Sequence, residues 1–213
     1  RLRSRVEAMG RGGAMVIPNA YAPGLGEAAP AGRRHADLTL GYFGYLAGAW
    51  FDWPLVAQVG RARPEWRIEL IGYGGGPGRV KLLSNVVLLG QQPRRELASL
   101  ASGWDVAMVP FIERPLSEAA DPIKVYEYLA LGLPVVVTGV HPPRGAEQWV
   151  RRASGVQEFI GAVERAAGSA DREARRAFAR DNLWARRADA LLEMVHKGRQ
   201  GIGWKKALFE RRP

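Results

Sequence analysis

No cysteine occurs among the 213 residues, which excludes a disulfide framework, a thiolate metal site and a cysteine nucleophile. No run of about 18 apolar residues occurs either, the length a membrane-spanning helix needs. The opening RLRSRVEAMGRGGAMV lacks the apolar centre of a signal peptide. Histidine is scarce, and His35, His141 and His196 have no acid at metal-ligand spacing. The sequence therefore predicts no metal site. Serine appears in no nucleophile-elbow pattern, and no Walker pattern is present. Acidic residues are outnumbered 21 to 31, leaving a net charge of +10. That balance favours polyanionic partners: nucleotides, nucleic acid or an anionic membrane face. Lysine is rare, at positions 81, 124, 197, 205 and 206 only. The remaining basic residues are arginines spread through helical segments, a poor fit to the aromatic-laced basic stripe of a nucleic-acid binder.

What is present is a folding composition, 47% hydrophobic and 24% charged. Residues 1–9 read as the last turns of a helix, and AMVIP, residues 14–18, as a short strand stopped by Pro18. The chain begins as though cut from something longer. Residues 19–36 are rich in Ala, Gly and Pro and read as a connection. From Asp37 onward strands alternate with amphipathic helices. LTLGYFG, RIELIG, NVVLLG, DVAMVPF, PVVVTG and the weaker EQWVRRA are the strands. FDWPLVAQVGRA, PRRELASLAS, the segment beginning at Pro122 and VQEFIGAVERAA are the helices between and after them. Near-continuous apolar strands in such an alternation predict an α/β fold, a Rossmann-like parallel sheet with helices on both faces. The expected organisation is the end of a preceding domain plus a linker over 1–36, a Rossmann-like domain with room for a nucleotide ligand over 37–182, and a C-terminal return helix with a basic tail over 183–213. In that helix Trp184, Ala188, Leu191, Leu192 and Val195 make one apolar stripe. The tail interleaves Trp204, Leu208 and Phe209 with basic residues, a composition suited to an anionic membrane or to a solvated terminus.

Ligands of open parallel sheets bind beyond the carboxyl ends of the strands, so a ligand is expected at the tips there. They are 41–48, 72–78, 90–93, 110–122 and 138–145. At the fourth tip, Pro122 fixes a helix start, and the first-turn amides of Ile123, Lys124 and Val125 face an anion if nothing else takes them. Lys124 adds a full charge there, in the turn where a cation opposes the helix dipole. It is misplaced for stability and well placed for a phosphate. Glu127, one turn on, is able to accept hydrogen bonds from ribose hydroxyls. The competing reading is an i, i+3 ion pair between Lys124 and Glu127 on a solvated face. GYFG and GYGGGPG bring glycine, Gly44 and Gly72 included, to two further tips, where backbone can approach a ligand closely or simply turn.

The order of these pieces resembles the donor-binding, C-terminal half of a GT-B glycosyltransferase, in the group of glycosyl transferases group 1. The likeness runs from about residue 14 to residue 195. Its most specific part begins at Asp121, where DPIKVYEYLALGLPVVVTG resembles the block DP-x-K-x-YEYLA-x-G-x-PVV. The resemblance implies a nucleotide diphosphate sugar, of UDP or GDP type, as donor and no separate cofactor. It implies that Lys124 touches the diphosphate and Glu127 the ribose, the two being the candidate catalytic residues. Gly44 and Tyr45 fall near the phosphates, Gln91 and Gln92 where the base is read, and Gly72, Asp121, Ile123 and Val125 around the same site. It also implies a glycan or lipid-linked acceptor, polysaccharide biosynthesis, retention of configuration, and an N-terminal acceptor-binding half not contained in this chain. A cytoplasmic protein, peripheral at the inner face of the membrane, is the expected setting. Two departures stand out. Where many relatives carry a first glutamate eight positions before the second, this chain has Ala119, with Glu113, Glu118 and Asp121 as nearby carboxylates. Where relatives carry Arg and Lys in the first loop, it has Tyr45 and AWFDW. A non-catalytic nucleotide-binding module and a nucleic-acid-binding protein are the alternatives.

Overall fold

The computed structural model describes residues 6–10, 16–25, 37–76 and 83–201, with side chains as far as residue 196. The basic tail, Lys81 and most of the expected connection over 19–36 lie outside the described residues.

Among the described residues six strands form one sheet: β1 (Thr39–Tyr45), β2 (Arg67–Tyr73), β3 (Val86–Gly90), β4 (Val106–Pro110), β5 (Val135–Thr138) and β6 (Val150–Arg152). Every pairing is parallel, in the order β3-β2-β1-β4-β5-β6. The helices are α1 (Trp53–Ala62), α2 (Arg94–Ala101), α3 (Pro115–Glu118), α4 (Ile123–Ala130), α5 (Gly155–Ala167), α6 (Arg172–Asp181) and α7 (Trp184–Gly201). This is the doubly wound order, in which the strand order reverses between β1 and β4. The α/β, Rossmann-like fold expected from the sequence is the fold observed.

The sequence explains the central strands directly. VAMVP and VVVT are buried along their whole length, as strands covered on both faces must be. The core runs through Leu40, Tyr42, Ile68, Leu70, Met108, Val136, Leu129 and Phe159. Glu69 is the charged exception on β2, and both its oxygens are used: Arg67 Nε donates at 2.7 Å and Trp104 Nε1 at 2.9 Å.

β1 and β4 stay paired for two positions only, Leu40 with Val106 and Gly41 with Ala107. Beyond them the strands part, and the backbone of Phe43, paired in register with Ile71 of β2, would be left without a partner on its β4 side. Tyr128, fully buried on α4, fills that place. Its hydroxyl accepts from Phe43 N–H at 2.9 Å and lies 3.3 Å from Phe43 C=O. The reversal point thus opens into a crevice without orphaned buried backbone, which would be costly.

Several boundaries differ from the sequence reading. Residues 16–18 are not a strand; Tyr21 instead makes an isolated parallel bridge with Leu183. α1 starts at Trp53, because Asp52 caps it by accepting from Leu55 N–H at 2.9 Å. The last strand shrinks to three residues. The short α3 was unanticipated, starting at Pro115 where the missing N–H costs nothing. Trp184, Leu191, Leu192 and Val195 of the apolar stripe are exposed in this chain.

Candidate functional site

A cavity of about 660 Å³ lies at the carboxyl ends of the strands, across the point where β1 and β4 separate. Gly44, Tyr45, Gly72, Gln91, Gln92, Asp121, Ile123, Lys124 and Glu127 all line it. Val125 does not. Its side chain is fully buried and its N–H donates to Pro122 C=O at 3.0 Å. The expectation that its amide faces an anion is corrected by that intrahelical turn; Ile123 and Lys124 form the cavity end of the helix.

Two glycines let the walls come close. Gly44 and Gly72 are register partners on β1 and β2, with φ of +142° and +152°. A Cβ on Gly72 would stand 1.8 Å from Gly44 O, and one on Gly44 would stand 2.7 Å from Lys124 Nζ. The glycine at 44 is therefore what leaves room for the ammonium.

Lys124 reaches back from the first turn of α4 into an aromatic corner. Nζ donates to Tyr42 Oη at 2.8 Å and lies 4.6 Å from the Tyr42 ring centroid and 5.1 Å from that of Phe111. Tyr42 in turn donates to Tyr45 C=O at 2.9 Å. Burial lowers the Lys124 pKa to about 8, with the charge of Glu127 pulling partly back. The same burial raises the Tyr42 hydroxyl well above its ordinary value. Among the described residues Lys124 has no ion-pair partner.

The i, i+3 pair of the sequence reading is not formed. Glu127 is buried, and its partner is Arg94, whose Nη1 donates to Oε1 at 2.7 Å. Arg94 opens α2 directly after the Gln91-Gln92 tip and lines the cavity too. The sequence reading passed over it, since nothing in local spacing joins positions 33 residues apart. Gln92 folds back to donate to Leu89 C=O.

The carboxylates near the vacant Ala119 position have other work. Asp121 Oδ2 accepts from Asn19 N–H at 2.7 Å and Tyr126 Oη at 3.3 Å. Glu118 lies 3.5 Å from Arg152. Glu113 is exposed and outside the cavity lining. The stretch AWFDW turns back over the β4 tip: Asp52 N–H donates to Pro110 C=O and Ile112 N–H to Trp50 C=O. Trp50 lines the cavity there, and Arg114 stands 5.5 Å from its ring centroid. Tyr45 and Tyr73 pair at the rim with centroids 5.3 Å apart. Among the described residues no three His, Asp or Glu side chains group to hold a metal ion, and no helix is long and apolar enough to cross a membrane.

The family model of glycosyl transferases group 1 matches residues 39–169, the whole sheet and every residue named above as lining the cavity. The chain belongs to that family. It is 26% identical over 108 residues to a Bacillus subtilis (strain 168) protein assigned by name to teichuronic acid biosynthesis as the glycosyltransferase TuaH, covering 48% of this chain and 27% of that one. Among solved structures, its fold matches sucrose-phosphate synthase from Thermosynechococcus elongatus with a TM-score of 0.64 at 16% identity, over 92% of this chain and 56% of that one. The lipopolysaccharide outer core galactosyltransferase WaaB matches with a TM-score of 0.61 at 12% identity, over 90% and 58%. Anabaena HepE in complex with UDP matches at 0.58 and 15%, over 76% and 49%. These likenesses establish the fold, a Rossmann-like α/β domain of the kind found in GT-B glycosyltransferases. The chain spans about a quarter of the curated relative's length and roughly half of each of these structures.

Proposed function

We propose that the cavity binds a nucleotide diphosphate sugar and that the chain is the donor half of a glycosyltransferase. The observation that carries this reading is Lys124: a partly buried cation at the start of a helix, without an ion-pair partner among the described residues, standing where Gly44 has no side chain. A diphosphate laid along Gly44 meets the ammonium and the positive end of α4 together. Glu127, one turn on, takes the ribose, and Gln91 and Gln92 stand beside the base. The UDP complex of HepE, which shares the fold, is in keeping with a nucleotide here.

In transfer, the bond between the anomeric carbon of the sugar and the distal phosphate oxygen breaks, an acceptor hydroxyl oxygen bonds to that carbon with loss of its proton, and negative charge develops on the leaving diphosphate. Lys124 stabilises that charge, an electrostatic contribution made where it is needed. The acceptor would be a glycan or a lipid-linked saccharide, in polysaccharide biosynthesis, with retention of configuration as in the relatives that the block beginning at Asp121 resembles. The net charge of +10 suits a peripheral encounter with acceptors at an anionic membrane. Against nucleic acid as the partner, some arginines of the described surface are engaged with carboxylates, Arg63 with Glu164 and Arg176 with Glu173 among them.

The test is a thermal-shift series with UDP, GDP, ADP and dTDP on this chain and on Lys124→Ala. A nucleotide at about 100 times its Kd stabilises by about 2.7 kcal/mol, a rise of roughly 5 to 10 °C for a chain of this size. A shift with one nucleotide that Lys124→Ala abolishes supports the reading and names the base. No shift with any of them overturns it.

A further inference from the structure

The ion pair between Arg94 and Glu127 joins two helices that the sequence keeps apart, and both partners line the cavity. It is asymmetric. The Glu127 side chain is 9% exposed and that of Arg94 50%. A carboxylate so buried is costly without a partner, and Lys124 on the same helix face does not supply one. Arg94 takes only one oxygen: Nη1 donates to Oε1, and Oε2 has no hydrogen-bond partner among the described residues. The rest of the guanidinium reaches toward the segment before β1, with Nη2 3.5 Å from Ala22 C=O. Glu127 is thereby held from one side with acceptor capacity left over, as a hydroxyl-bearing ligand requires.

We propose that Arg94 is a positioning residue that holds Glu127 in place to accept hydrogen bonds from the ribose hydroxyls, making the cavity selective for ribonucleotides. This rests on the reading of the cavity as a nucleotide site. Arg94 acts through Glu127, and its planar fork fixes the carboxylate in a way that a lysine ammonium does not. Glu127 alone, on a helix whose first turn is committed to Lys124, would have its rotamer set only by its buried surroundings.

Calorimetric titration separates the parts. UDP and GDP, each beside its 2′,3′-dideoxy counterpart, are titrated into the wild-type chain, Arg94→Ala, Arg94→Lys and Glu127→Ala, with the ligand-free thermal midpoint of each recorded. The wild type is expected to prefer the ribose form by about tenfold or more, the size of one hydrogen bond to a charged group. Glu127→Ala and Arg94→Ala should each reduce that preference to near unity, the ratio between the ribose and dideoxy forms of each variant being the readout. Arg94→Lys keeps a cation beside the buried carboxylate, so it is the variant that folds if the alanine does not, and it should regain only part of the preference. An Arg94→Ala chain with undiminished preference, or Arg94→Lys indistinguishable from wild type, overturns the proposal, as does tighter ribonucleotide binding on removing Arg94, which would make the pair a latch. Failure of the wild type to bind even the dideoxy forms overturns the nucleotide site itself, and the role of Arg94 with it.

Discussion

The Lys124 ammonium occupies the space that a side chain on Gly44 would need: a Cβ there would lie 2.7 Å from Nζ and 3.1 Å from Tyr42 Oη. Gly44 also has φ +142°, in the region that favours glycine. Gly44→Ala must therefore strain the backbone and push the ammonium from its corner. The expected cost is about 1 to 3 kcal/mol of stability, read from denaturant unfolding. Nucleotide-induced thermal shift should fall with it. An alanine variant that keeps both stability and nucleotide binding would show that the lysine does not need this corner.

Lys124 is held against its own solvation, and removing the charge should show it. A lowering of the pKa from 10.5 to about 8 corresponds to roughly 3 kcal/mol of disfavoured charge at neutral pH. Lys124→Met keeps the apolar stem and discards the ammonium, losing the bond to Tyr42 in exchange. A net gain of about 1 to 2 kcal/mol is expected, a rise of about 2 to 8 °C in the ligand-free Tm. The same variant should show no shift with nucleotide. A stability gain alongside lost binding is the signature of a residue kept for its ligand; a loss of both would mark Lys124 as structural.

The pH dependence follows from the same burial, with two opposite signs. The native pKa is the lower one, so between about 8 and 10.5 the unfolded chain binds more protons. Stability attributable to Lys124 therefore rises with pH across that window. The Tm gap between wild type and Lys124→Met should narrow there. Diphosphate binding needs the cation and moves the other way. Since the ligand's own phosphate is fully ionised above about pH 7, its Kd for the wild type should rise above pH 8 toward a limit of about tenfold per unit. Calorimetry at pH 7, 8 and 9 measures it; a flat wild-type profile would mean that the lysine does not contact the diphosphate.

Much of the fold was legible because its strands are written in runs such as VAMVP and VVVT, which only a doubly covered sheet accommodates. The site was legible where chemistry and position share one short stretch: Pro122, Lys124 and Glu127 lie within six residues. It was not legible where the partner is distant in the chain. Arg94 looks like one more helix-opening arginine until the fold lays it on Glu127. Val125 illustrates the reverse error, a local rule overruled locally, because its amide closes a turn on Pro122 C=O. The strand expected over 14–18 fails at residues 16–18 for lack of a neighbour: Val16 and Ile17 are exposed, and apolar character alone does not provide a sheet edge to join.

Tyr128 poses the remaining question, whether the opening between β1 and β4 depends on one hydroxyl. The ring is packed against Phe43 with centroids 4.6 Å apart, so Tyr128→Phe keeps the packing and removes only the oxygen. Phe43 N–H is then left buried without the acceptor it has at 2.9 Å. An unsatisfied buried donor costs about 1 to 3 kcal/mol, and the loss should appear as a lower Cm in urea with an unchanged m-value. Because Gly44 follows Phe43 directly, the freed strand end carries the cavity floor with it. Hydrogen exchange at Phe43 and Gly44 should accelerate, and nucleotide affinity should drop although Tyr128 does not line the cavity. If stability falls while exchange at those two amides and nucleotide affinity stay as they were, the hydroxyl serves the core and not the site.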